Sequence, residues 1–82
     1  MTSAQVRMAR AALNWTVRDL AEAAGVHRNT ISNIEVGRYA GDVRTLAAIK
    51  SVLTRAGVEF IDENGGGPGV RFRKSARSSR RG

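Results

Sequence analysis

Arg28, Asn29, Ser32 and Asn33 stand together in the stretch His27-Arg28-Asn29-Thr30-Ile31-Ser32-Asn33-Ile34-Glu35. On a helix they share the side opposite Ile31 and Ile34, so they face outward as a set. Such residues can read nucleic-acid bases. A guanidinium grips guanine with two parallel hydrogen bonds, and a carboxamide does the same to adenine. The bland alternative is an ordinary solvated helix face. Catalytic chemistry finds no comparable set. His27 has no cysteine to activate, and Ser32 lies on its own helix rather than across a cleft. Asp19, Glu22 and Glu35 fit caps and helix faces, so the chain reads as a non-enzyme. One histidine and no cysteine exclude a thiolate zinc site and a disulfide framework. Gly65-Gly66-Gly67-Pro68-Gly69 lacks the lysine and the hydroxyl residue that follow a phosphate-cradling loop, and no helix pattern comes after it. No cofactor or small-molecule ligand is expected.

The recognition residues need a scaffold, and the sequence from Thr16 to Glu35 supplies one. Leu20, Ala21 and Ala24 have helical spacing, as do Ile31 and Ile34. Gly25 falls at the corner between the two halves, where a left-handed residue is required. Thr16 is a good N-cap, with Asp19 completing a weaker capping box. Trp15 with Leu20, and Val26 with Ile31, have the spacing of hydrophobic staples. Together these features predict a helix-turn-helix, the unit that lays its second helix in the major groove.

This arrangement resembles the phage-repressor (Cro-type, XRE) family of regulators over about Met8 to Leu53. The matching residues are Leu20, Ala21, Gly25, Val26, Ile31, Ile34 and the trailing Ile34-Glu35-Val36-Gly37. The resemblance implies double-stranded DNA as partner, base contacts from Arg28, Asn29 and Asn33, and a structural ion pair between Arg10 and Glu35. Two departures stand out. Histidine replaces the usual Ser/Thr cap of helix three, at a cost of about 1 kcal/mol if nothing restores the bond. Val17 replaces a glutamine that reaches a phosphate, so His27, Thr30, Arg18, Arg38, Tyr39 and Arg44 are the expected backbone contacts.

The remaining elements follow from caps and periodicity. Thr2 and Gln5 form a capping box for a first helix that ends near Leu13, with Asn14 as a left-handed stop. That helix is expected to bury Val6, Ala9 and Leu13, together with Met8 and Ala12. Asp42 caps a fourth helix with Leu46, Ile49, Val52, Leu53 and Ala56 as its apolar stripe and Gly57 at its end. The expected core is Leu13, Trp15, Leu20, Ile31, Ile34, Leu46, Ile49 and Leu53. Val58–Ile61 and Val70–Arg73 alternate as short strands, joined by Asp62 to Gly69, and Glu59 can face Arg71 or Arg73. Such a hairpin is marginal alone and must pack on the helices or on another subunit.

The fold class expected is mainly α: a lambda-repressor-like bundle of four short helices with a helix-turn-helix, then a short C-terminal β-hairpin and a basic tail. Residues 1–57 form the DNA-binding domain, 58–73 the hairpin and 74–82 a disordered tail. Phe60, Ile61, Val70 and Phe72 are the candidate homodimer contacts. The net charge is +7 over 82 residues, but residues 1–70 carry eight Lys or Arg against seven Asp or Glu. The other +6 lies in residues 71–82, where it can neutralise phosphates beside the site. No apolar run approaches membrane-spanning length, and the chain is expected in the cytoplasm. The functional expectation is a sequence-specific transcription regulator, a dimeric repressor on a palindromic operator. The rival is a protein-interaction adaptor using the helical domain and the aromatic hairpin. A basic RNA binder has only the tail in its favour.

Overall fold

A computed structural model describes residues 1–38, 42–62 and 65–73. Four helices come first: α1 (Ser3–Leu13), α2 (Val17–Ala24), α3 (Arg28–Glu35) and α4 (Val43–Arg55). An antiparallel hairpin of β1 (Val58–Ile61) and β2 (Gly69–Phe72) completes the elements among the described residues. The second strand thus lies one residue earlier than its alternation suggested.

The helix boundaries are set by local chemistry. Thr2 with Gln5 and Thr16 with Asp19 form complete capping boxes, each side chain bonding the other residue's main-chain N–H. Three successive helix ends are closed in one way, by a left-handed residue after the last turn. These are Asn14, Gly25 and Gly37, with φ of 61°, 71° and 80°. At each, the next N–H reaches back five residues: Trp15 to Arg10, Val26 to Ala21 and Arg38 to Asn33. That satisfies carbonyls that would otherwise be orphaned at the helix end.

The core is Val6, Ala9, Leu20, Ala21, Ile31, Ile34, Ile49, Leu53 and Val58. Leu13, Trp15 and Leu46 are only partly buried against it. Met8 and Ala12 are exposed rather than buried, because α1 centres its inward face on Val6 and Ala9 and both residues fall at the rim of that face, beyond Gln5. Ala56 is likewise exposed, since α4 has ended and the chain is already turning through Gly57.

The hairpin packs on α1 and α4, with Val58 fully buried and Phe60 and Val70 partly so. Its register pairs Val58 with Phe72, Glu59 with Arg71, Phe60 with Val70 and Ile61 with Gly69. Arg71 is therefore the residue that meets Glu59, at 2.8 Å, while Arg73 donates to the Thr54 carbonyl. Gln5 fixes the other end of the hairpin. Its Nε2 donates to the carbonyls of Ile61 at 3.0 Å and Gly69 at 2.9 Å, while its Oε1 accepts from Thr2 N–H. One side chain caps α1 and docks the hairpin.

Candidate nucleic-acid interface

Helix α3 is only eight residues long and is held by its buried face and its C-terminal end. Inward, Ile31 and Ile34 are buried. At its C-terminus Arg10 pairs with Glu35 through two bonds, Nε to Oε2 at 2.8 Å and Nη2 to Oε1 at 3.0 Å. The same guanidinium donates from Nη1 to the Trp15 carbonyl at 3.0 Å, and Arg7 donates to the Glu35 main-chain carbonyl. The bond to Glu35 outweighs the cost of burial, so Arg10 holds its proton more firmly than a free arginine. A bidentate fork of this kind fixes direction as well as distance. The first helix thereby sets the axis of the third.

The outward side of α3 presents Arg28, Asn29, Ser32 and Asn33, all exposed, with Thr30 half-buried. Asn29 and Asn33 lie one turn apart, about 6 Å along the axis. Arg18, His27 and Arg28 line one open hollow of about 520 Å³ between α2 and the start of α3, together with Ala21, Glu22 and Val26. Arg18 also pairs with Glu22 at 3.4 Å on the exposed surface, a contact of little energetic weight. Arg38 and Arg44 are exposed on either side of residues 39–41. Tyr39, expected as a phosphate donor, lies outside the described residues, as does the tail 74–82.

Helix α3 departs from what suits an isolated helix. Its first turn carries no acid, and Arg28 places a cation at the positive end of the helix dipole. Its neighbours α1 and α2 both have capping boxes.

His27 does serve as the cap. Its Nδ1 accepts from Asn29 N–H at 3.1 Å, so the bond that Ser or Thr would make is restored. Accepting at Nδ1 leaves the proton of the neutral ring on Nε2, free to donate outward. Asparagine copies the cap but has nothing at the Nε2 position. His27→Asn is thus expected to keep the stability of the native chain, whereas His27→Ala loses about 1 kcal/mol. Urea unfolding of the two variants checks this; equal stabilities would show that the imidazole cap contributes nothing.

Sequence reasoning missed the contacts of Arg7 and the second role of Gln5. Nothing near either residue signals them, because their acceptors lie 28 to 64 positions away. Among the described residues no cluster of His, Cys, Asp or Glu could hold a metal ion, and no helix is long and apolar enough to cross a membrane.

A family model for helix-turn-helix domains matches residues 6–55, which covers all of α2 and α3 and nearly all of the supporting helices. No curated protein is similar enough to the chain to match it. With the capped helix pair, the left-handed corner at Gly25 and the exposed polar strip of α3, that match is decisive: the chain belongs to the XRE-type helix-turn-helix family (HTH_3), whose domains are DNA-binding regulators of transcription.

Proposed function

We propose that this regulator reads a specific double-stranded operator through Arg28, Asn29 and Asn33, and that it represses transcription in the cytoplasm by occluding the promoter. The observation that supports the reading is the polar strip of α3, outward and free of core duties, on a helix capped at its start and anchored to α1 at its C-terminal end. Arg18 and His27, which line a hollow with Arg28, are proposed phosphate contacts together with Thr30, Arg38 and Arg44. Phosphate contacts set register and bases set specificity, so the two groups respond differently to substitution. Arg28→Ala is expected to cost about 1–3 kcal/mol on the preferred site and to relax preference at one base position. Selection of bound duplexes from a random pool, followed by gel retardation, measures both. An unchanged consensus at full affinity would remove α3 as the reader.

A palindromic operator requires a two-fold protein. Of the four hairpin residues first considered for that contact, Phe60 and Val70 pack on the molecule's own core and Ile61 is half-buried, leaving Phe72 largely exposed. On the helical side Val36, just after α3, and Val43, at the start of α4, are 65% and 80% exposed. We propose that these two exposed valines, which follow the recognition helix in the chain, form the homodimer contact. Val43→Asp is expected to yield a monomer in sedimentation equilibrium without DNA, while Phe72→Asp leaves the dimer intact. The reverse pattern returns the interface to the hairpin.

A further inference from the structure

The outer edge of β2 carries recognition chemistry that DNA reading leaves unused. Arg73 N–H donates to the Gly57 carbonyl at 2.7 Å, extending the ladder by one pair. Residues 57, 59 and 61 therefore bond across the hairpin to 73, 71 and 69. The main-chain groups of Val70 and Phe72 consequently point away from β1, and no described group bonds to them. On β1 the Val58 side chain is fully buried and the strand packs on α4, while β2 packs on α1. On β2, by contrast, Arg71, Phe72 and Arg73 are all exposed, and Phe72 shows 56% of its surface.

We propose that β2 is a docking edge for an extended, acidic segment of another protein, which adds as a third strand. Val70 and Phe72 offer two N–H and two C=O groups for a new ladder. The two faces of the incoming strand meet different surroundings. Its residues on the solvent side lie against Arg71, with no acid on β2 itself to compete, and Arg73, which bonds the Thr54 carbonyl of α4 through Nη1, adds positive charge at the end of the strand. Its residues on the other side meet the Phe72 ring. A segment alternating acidic and apolar residues matches both. Arg71 already holds Glu59, but that pair is well exposed, with side chains 64% and 45% accessible, and leaves guanidinium donors to spare.

A second copy of the chain fits this edge badly. Antiparallel self-pairing through both Val70 and Phe72 sets Arg71 against Arg71, and the register centred on Phe72 sets Arg71 against Arg73. Centring on Val70 instead places Phe72 opposite Pro68, which has no N–H to give. The arginines thus guard the edge against its own kind while attracting acid.

The test uses the isotope-labelled full chain and a short capped peptide alternating glutamate and valine. Saturable amide shifts confined to Gly69–Arg73 and their α1 neighbours are expected, with none from the lysine–valine counterpart. Arg71→Gln with Arg73→Gln should weaken binding by about tenfold. Phe72→Ser should weaken it as well, and its unchanged unfolding curve separates this from misfolding. N-methylating the peptide amides that face β2 should abolish binding. The proposal is overturned by an absence of shifts at millimolar peptide, by an equal response to the lysine peptide, or by shifts centred on α3. It is equally overturned if duplex DNA moves the same amides, which makes the strand a DNA contact, or if Phe72→Asp abolishes self-association, which makes it a homodimer edge. None of these outcomes depends on α3 reading bases.

Discussion

Replacing Gln5 by glutamate is expected to lower stability by about 3–5 kcal/mol while leaving the first capping box in place. The carboxylate can still accept from Thr2 N–H, as Oε1 does now, because Glu and Gln serve equally at that position. What it cannot do is donate. The Ile61 and Gly69 carbonyls, bonded at 3.0 and 2.9 Å by Nε2, would instead face a negative charge. Gln5 is only 2% exposed, so water cannot screen that repulsion. The introduced carboxyl is relieved by protonation, which raises its folded pKa above the unfolded value. Stability is accordingly highest at low pH and falls as pH rises through that folded pKa. Gln5→Ala removes the clamp and the reciprocal half of the capping box, leaving the bond from residue 5 N–H to Thr2 Oγ1, and adds no charge, so it should cost less. Urea unfolding of both variants across pH checks the order. A glutamate variant as stable as the native chain at neutral pH would mean that the hairpin is not held through Gln5.

Gln5 also shows where sequence reading stops. Its capping role was legible because both partners lie three residues apart, within one turn. The clamp on the hairpin was not, since its acceptors lie 56 and 64 positions away and are main-chain atoms with no sequence signature. The same division holds elsewhere. Asn14 and Gly25 as left-handed stops, the two capping boxes and the Asp42 cap are local geometry, and the structure has each of them. Glu59 opposite Arg71 was one of two alternatives until the register chose between them. Which side of α1 is buried depends on what packs against it, and helical spacing alone does not show that Met8 and Ala12, at the rim of the inward face, are exposed. The hairpin shows the same dependence. Alternation marked Val58, Phe60, Val70 and Phe72 as one face, but only tertiary packing decided that the molecule's own helices cover most of it. The outward strip of α3 was fully legible, because it needs only helical period and residue type. Its sequence also hides how firmly the helix is held, which rests on Arg7 and Arg10 from α1.

That anchoring leads to the second large effect. Arg10→Met is expected to cost about 2–4 kcal/mol, since it strands the Glu35 carboxylate, whose side chain is 7% exposed, without its partner. The figure is set below that for a fully buried pair because the Arg10 side chain is 25% exposed. It also loses the bond to the Trp15 carbonyl, which ties the start of α2 to the same guanidinium. The pH sign follows from Arg10 holding its proton more firmly in the folded chain. Its contribution is fully present below the ordinary guanidinium range and is lost only as strongly alkaline pH passes the raised value. Acid unfolding is therefore not driven by this arginine. Changing both partners, Arg10→Met with Glu35→Leu, removes the stranded charge and should recover most of the stability. Binding should not recover to the same degree. An apolar pair packs without direction, whereas the bidentate fork fixes the angle at which α3 leaves α1. The double variant is thus expected to melt close to the native chain and yet bind the selected operator several-fold more weakly, with the consensus unchanged. Unfolding curves and gel retardation on the same samples separate the two quantities. Full affinity in the stable double variant would show that the ion pair contributes stability alone and that Ile31 and Ile34 suffice to aim the helix.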